Sequence, residues 1–180
     1  SPVPGTVFNW VNNNPGIGLA ANGTGNIPSF TAINNGGAPA TATITVTPTF
    51  TNNGVFCAGA PIVVTITVNP TAQVNQPANV NTCGGVLTTV NFTTTTPGTT
   101  YSWTNSNPAI GLGASGTGNI SFTAAIVAAT TTGTITVTPN YTNNGVSCPG
   151  IPRTFTITVD PLPTVNAVPN QPALCSGEAT

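Results

Sequence analysis

Very few side chains in this 180-residue chain could do chemistry. There are four cysteines, Cys57, Cys83, Cys148 and Cys175, and the only formal charges are Arg153, Asp160 and Glu178. Histidine and methionine are absent. General acid–base catalysis needs groups that titrate, and a nucleophilic serine or cysteine needs a base to activate it. The expectation is therefore that the chain is not an enzyme and has no catalytic residues. Asp160 precedes Pro161 where a related stretch has Asn69 before Pro70, so it reads as a turn residue. No two cysteines form a C-x-x-C pair, which argues against zinc, and carboxylates are too sparse to hold calcium. No cofactor and no metal are expected. Disulfide formation outside the cytoplasm is the chemistry that remains.

The same scarcity bounds the partners. One basic residue leaves no footprint for nucleic acid or anionic lipid. No apolar run is long enough to enter a membrane, and SPVPGTVFNW lacks the basic and apolar regions of a signal peptide. Yet 38% of the residues are hydrophobic, which is enough for packed cores. The 36 threonines supply β-branched side chains that suit a half-buried pleated surface and keep it wettable without charge.

Most of the chain is written twice. FNW at 8–10 returns as YSW at 101–103, and GIGLAANGTGNIPSF at 16–30 as AIGLGASGTGNISF at 109–122. TITVTP at 43–48 recurs at 134–139, TNNGVFCAG at 51–59 becomes TNNGVSCPG at 142–150, and VTITVNP at 64–70 becomes FTITVDP at 155–161. The period of 91 to 93 residues suits whole domains in tandem, not solenoid units. Residues 163–177 then echo 72–85. The expected organisation is a repeat lacking its opening strand over 1–69, a complete repeat over 70–161, and the start of a third over 162–180.

Within each repeat the apolar period is two. Phe155, Ile157 and Val159 point one way and the intervening threonines the other, and the same holds for Ile135 and Val137, for Ile44 and Val46, for Tyr101 and Trp103, and for Phe8 and Trp10. These residues are the predicted core, with each tryptophan as the large buried ring and an aromatic sugar platform as the alternative. Pro48, Pro70, Pro139 and Pro161 are expected at strand ends, where a missing ladder donor does least harm. Short alternating strands without a helical stretch predict an all-β fold of tandem Ig-like, antiparallel β-sandwiches.

The Asn-Asn-Gly of each TNNG phrase supplies turn residues that begin a connection between strands, with the cysteine anchoring it. Pairing Cys83 with Cys148 would close about 65 residues and add roughly 4 kcal/mol in the chain-entropy model. Cys57 and Cys175 would then pair beyond this stretch. A competing bridge, Cys57 to Cys83, would staple one repeat to the next. Thr41, Thr43, Thr45, Thr47 and Thr49 form a rank that could face ice or crystalline polysaccharide, against the plain reading of a solvated strand face whose twist spoils a lattice match. The GTGN stretches lack the lysine of a phosphate loop and read as turns.

The ordered set Y-x-W, I-G-L-x-x-x-G-T-G-N-I, T-I-T-V-T-P, T-N-N-G-x-x-C-x-G and F-T-I-T-V-x-P resembles the PKD-like, immunoglobulin-like repeats of very large surface proteins of Bacteroidota, gliding-motility adhesins among them. The resemblance covers essentially the whole chain. It implies export by the type IX system and display as a long extracellular filament or stalk. One departure stands out: many such repeats carry W-D-F-G-D-G, whereas here Trp103-Thr104-Asn105-Ser106 follows, without the acidic residues that hold calcium in related modules. The expected function is a rod-like structural segment of a secreted adhesin or stalk. A carbohydrate- or ice-binding module acting through the threonine faces and a strand-exchanged extracellular polymer are the alternatives. The expected partners are neighbouring domains of the same chain, further copies through lateral or strand-exchange contacts, and a glycan or surface ligand. Neither nucleic acid nor membrane insertion is expected.

Overall fold

The computed structural model describes residues 3–165, Ala167 and Ser176, so Cys175, Glu178 and most of the expected third repeat lie outside the described residues. The fold is all-β, with thirteen strands and two 3-10 turns among the described residues. The first repeat forms β1 (Val7–Asn12), β2 (Asn22–Thr24), β3 (Ala40–Asn52), β4 (Val55–Ala58) and β5 (Ile62–Val68). The second forms β6 (Val80–Cys83), β7 (Leu87–Val90), β8 (Thr100–Asn105), β9 (Ser115–Thr117), β10 (Ile120–Thr123), β11 (Thr131–Asn143), β12 (Val146–Pro149) and β13 (Arg153–Asp160).

β1 to β5 make one antiparallel sheet in the order β2-β1-β3, with β4 and β5 sharing the other edge of β3. The second repeat reproduces it as β9-β8-β11 with β12 and β13, and adds two features. β6 joins β13 in parallel, Val80 opposite Ile157 and Cys83 opposite Asp160. A separate pair, β7 with β10, closes the sandwich from the other side. Among the described strands the parallel pair is the one departure from a purely antiparallel arrangement.

Pro48 and Pro139 do not end their strands, contrary to the sequence expectation; β3 and β11 run through them for 13 residues each. The reason is the gap between the partners on one edge. β5 pairs with β3 as far as Val46, and β4 resumes at Thr49, so no ladder hydrogen bond is required on that edge at Pro48. The Pro48 carbonyl is used all the same, accepting from the Gly59 N–H at 2.9 Å, and Gly150 repeats the bond to Pro139.

Trp103, Ile135, Val137, Phe155, Ile157 and Val159 are buried in one cluster with Val74, Val90, Phe92, Ile110, Leu112, Ile120 and Phe122, and Tyr101 packs against it half-buried. Phe92 is the hub, with ring centroids 5.3 Å from Tyr101 and 6.2 Å from Phe155. In the first repeat Trp10 and Ile44 are buried with Ile17, Leu19 and Ala42, whereas Val46 is half-buried. Phe8 departs from the expected core: it is exposed, because nothing among the described residues covers that half of the sheet. Both tryptophans lie over a glycine, Gly23 and Gly116, where a methyl group would overlap the indole ring. Their indole N–H groups are buried without an acceptor, which suits a packing ring and not a wet sugar platform.

Candidate functional site

The short phrase TNNG folds the same way in both repeats. Asn53 and Gly54 have φ of 49° and 81°, and Asn144 and Gly145 have 48° and 77°. Two consecutive positive φ values define a tight type I′ hairpin, for which Asn-Gly is the favoured pair. The phrase therefore links β3 directly to β4, and β11 to β12, where the sequence suggested the start of a long connection.

The hairpin of the second repeat lies against the segment that joins the repeats. The Asn143 side-chain amide donates to Asn69 Oδ1 at 2.9 Å, and the Asn69 amide donates back to the Asn143 carbonyl at 3.4 Å. Ala72 N–H donates to the Cys148 carbonyl at 3.4 Å, and the Thr96 hydroxyl to the Thr71 carbonyl at 3.4 Å. Beyond this point the chain is zipped along the second sandwich. Asn75 donates to the Thr93 carbonyl at 2.9 Å and to its hydroxyl at 2.8 Å; the Gln76 amide reaches the Thr154 carbonyl at 2.8 Å; Asn79 Oδ1 accepts from the Thr156 N–H at 2.9 Å. Pro70 and Ala72 are fully buried. Gly150 is needed here, since a methyl group in its place would overlap the Ala72 carbonyl.

From the other side, the loop of the first repeat ahead of β3 approaches the second. Gly37 stands so close to the Thr95 carbonyl that a side chain would collide with it. Asn34, Gly37, Thr71, Gln73, Thr95 and Thr96 line a cavity of about 490 Å³ between them. Every polar group there is neutral, so the junction offers hydrogen bonds but no ionic site.

The cysteines do not form the predicted bridge. Cys57, Cys83 and Cys148 are all free. Cys83 is opposite Asp160, one residue beyond the Val159–Thr131 pair, whereas Cys148 is opposite Tyr141, near the other end of β11. Eleven residue steps along the strand separate the two positions, about 36 Å at the usual rise, against the 7 Å or less between Cα atoms that a disulfide tolerates. The Cys57–Cys83 alternative is further from closing, because Cys57 is opposite Phe50, at the end of β3 remote from the linker. Non-reducing peptide mapping of the chain is expected to show no Cys83–Cys148 or Cys57–Cys83 cross-link. Either linked peptide would contradict this placement.

The threonine rank of β3 is less uniform than its sequence. Thr41 is exposed and Thr43, Thr45, Thr47 and Thr49 are half-buried. On the flanking strands Val11 and Val63 stand opposite Thr45, and Val7 opposite Thr49, so apolar side chains interrupt the hydroxyl array. The Thr49 hydroxyl is also engaged, accepting from Asn9 at 3.0 Å and donating to the Val7 carbonyl at 3.2 Å.

One asparagine that sequence reasoning missed organises each repeat. Asn105 is buried; its Oδ1 accepts from the Asn107 N–H at 3.0 Å, and its amide donates to the Leu112 carbonyl at 2.9 Å and the Asn107 carbonyl at 3.2 Å. Asn12 repeats this, accepting from the Asn14 N–H at 2.9 Å and donating to the carbonyls of Leu19 at 2.9 Å and Ala20 at 3.2 Å. The signal was present in the alternation. Asn105 is the next inward position after Tyr101 and Trp103, and a polar residue on an inward position must be satisfied locally.

No helix among the described residues is long and apolar enough to cross a membrane. No curated protein matches the chain. Residues 1–72 match the PKD-like domain family, so a PKD-like domain occupies the first repeat and ends where the linker enters the second sandwich.

Proposed function

We propose that this chain is a structural segment of a secreted, surface-displayed stalk, adhesin or filament, in which repetition of the sandwich supplies reach and durability. PKD-like domains are typically extracellular and of structural or adhesive type. The observation that carries the reading is the junction. A free linker would leave neighbouring sandwiches to tumble independently, whereas here residues 69–79 are absorbed into the second sandwich by backbone and amide hydrogen bonds. Chain entry beside one end of β11 and exit beside the other supports an in-line arrangement of repeats. The neutral surface adds durability, since it has a single tryptic site, at Arg153, and no methionine to oxidise. Sorting by the type IX system and attachment to a bacterial surface belong to the same proposal.

Two strands of 13 residues laid end to end span about 85 Å, which corresponds to a radius of gyration on the order of 24 Å for a thin rod. A compact body of the same length would have about 16 Å. Small-angle scattering is expected to give the larger value. Exchanging both Asn69 and Asn143 for alanine is expected to broaden the distance distribution while leaving the fold intact, because only the junction loses its amide pair. A radius near the compact value, for the parent chain, would overturn the stalk reading.

A further inference from the structure

Asn-Gly occurs four times, at Asn22-Gly23, Asn35-Gly36, Asn53-Gly54 and Asn144-Gly145. The dipeptide carries chemistry of its own. The glycine nitrogen, with no side chain to hinder it, attacks the preceding carboxamide carbon, closes a five-membered succinimide and expels ammonia. Water then opens the ring at either carbonyl, leaving aspartate or isoaspartate, the latter with one extra backbone atom. Identical dipeptides react alike in an unfolded chain, and here the fold ranks them. Gly23 is held in the β1–β2 ladder opposite Trp10, between the Asn12 N–H bond to the Ala21 carbonyl at 2.7 Å and the Gly25 N–H bond to the Phe8 carbonyl at 2.8 Å. The Gly36 N–H donates to Asn34 Oδ1 at 2.9 Å, and the Asn34 amide is tied to the carbonyls of Ala38 at 2.9 Å and Val68 at 2.8 Å. Both of these glycines are restrained.

At the hairpin tips the attacking nitrogen is free: among the described residues Gly54 and Gly145 donate no hydrogen bond, and open space surrounds both. While the type I′ turn is closed, the left-handed backbone of Asn53 and Asn144 turns that nitrogen away from the carboxamide. The ring therefore forms during local opening of the tip, and the two tips differ in what opening costs. Residues 51–60 are all exposed, Val55 at 64% and Phe56 at 65%. In the second hairpin Asn140 Oδ1 accepts from the Ser147 hydroxyl across the strands at 2.8 Å, and Asn143 is pinned to Asn69 of the linker. Thr49 and Phe56 stand in the places of Asn140 and Ser147 in the first, so that bridge is missing there. We propose that Asn53 is a spontaneous modification site, converting with age to aspartate and isoaspartate, and that the linker contact shields Asn144 from the same change. The junction is thereby a one-way latch. Opening it frees the second tip, and an isoaspartate at 144 lengthens the backbone beside Asn143, so the amide pair with Asn69 does not re-form. Each conversion also adds a carboxylate to a nearly uncharged chain.

The test incubates the full chain at mildly alkaline pH, follows each site by peptide mass mapping under acid digestion, and scores isoaspartate with a protein isoaspartyl methyltransferase. Asn53 is expected to convert about tenfold faster than Asn144, the scale that one or two net hydrogen bonds set, and well ahead of Asn22 and Asn35. In denaturant the four rates are expected to converge. Asn69→Ala is expected to raise the Asn144 rate several-fold toward that of Asn53, with Asn53 itself unchanged and hydrogen-exchange protection of β13 retained. Asn69→Asp, which keeps an acceptor for the Asn143 amide, is expected to hold the parent rate. Equal rates at Asn53 and Asn144 in the parent chain overturn the proposal, and so does conversion at Asn22 or Asn35 as fast as at Asn53. An Asn144 rate indifferent to Asn69→Ala overturns the latch, as does a rise that comes with loss of β13 protection, which would assign the shielding to the sandwich as a whole.

Discussion

Trp103→Ala is expected to destabilise the second sandwich by about 3–5 kcal/mol, the range for removing a large buried aromatic ring from a packed core. Trp103 sits in the cluster that Ile110, Ile120, Ile135 and Val137 share, and its ring is seated on the bare backbone of Gly116, so the surroundings have little freedom to collapse into the void. Trp103→Phe provides the internal control. The indole N–H has no acceptor, so the phenylalanine variant forfeits volume but no hydrogen bond, and it is expected to lose about 1–2 kcal/mol. Equilibrium denaturation followed by fluorescence and circular dichroism measures both. The same truncation at Trp10 is expected to cost less, because its cluster is smaller and its sheet is open on one side. Equal losses at the two tryptophans would show that the first repeat is as well covered as the second.

Asn105→Leu is expected to cost about 2–4 kcal/mol, although it replaces a polar side chain by an apolar one of similar size in a buried site. The change strands the Asn107 N–H and the Leu112 carbonyl, and each group left unsatisfied in the interior costs about 1–3 kcal/mol. Asn105→Asp separates donor from acceptor. The carboxylate still accepts from Asn107 but turns a negative charge toward carbonyl oxygens at 2.9 and 3.2 Å. Protonation restores a donor, so the folded state holds this proton more firmly than the unfolded chain does. Stability of the aspartate variant should therefore rise as the pH falls, a slope opposite to that of an ordinary paired carboxylate. Melting curves across the acid range check it. A pH-independent loss would mean that the amide's donor side contributes nothing.

These two positions also show how much was legible in the chain beforehand. Trp103 was placed in the core by alternation alone, since Tyr101, Trp103, Ile135, Val137, Phe155, Ile157 and Val159 all fall on the inward parity of their strands. Asn105 has the same parity and was passed over, because composition suggests a solvated asparagine whereas the folded chain turns back on it through Pro108–Ile110. Phe8 shows the converse. Parity pointed it inward, and it does point inward, but burial depends on a segment that covers the sheet, and no local pattern reports whether that segment is there.

Local rules thus determined what each short stretch of this protein does. The period of two makes strands and Asn-Gly makes the hairpin. These follow from dihedral preferences and side-chain chemistry within a few residues of one another. Tertiary structure alone decided which stretches meet. It carried β3 and β11 through their prolines because the neighbouring edge has a gap there, laid β6 parallel to β13, and docked the second hairpin on the linker through Asn69 and Asn143. It also set Cys83, on β6, and Cys148, on β12, level with opposite ends of β11, where sequence separation had suggested a bridge. A strand converts ten residues into about 33 Å, and which of its ends a cysteine on a neighbouring strand lies beside is fixed by long-range register, not by its neighbours in sequence.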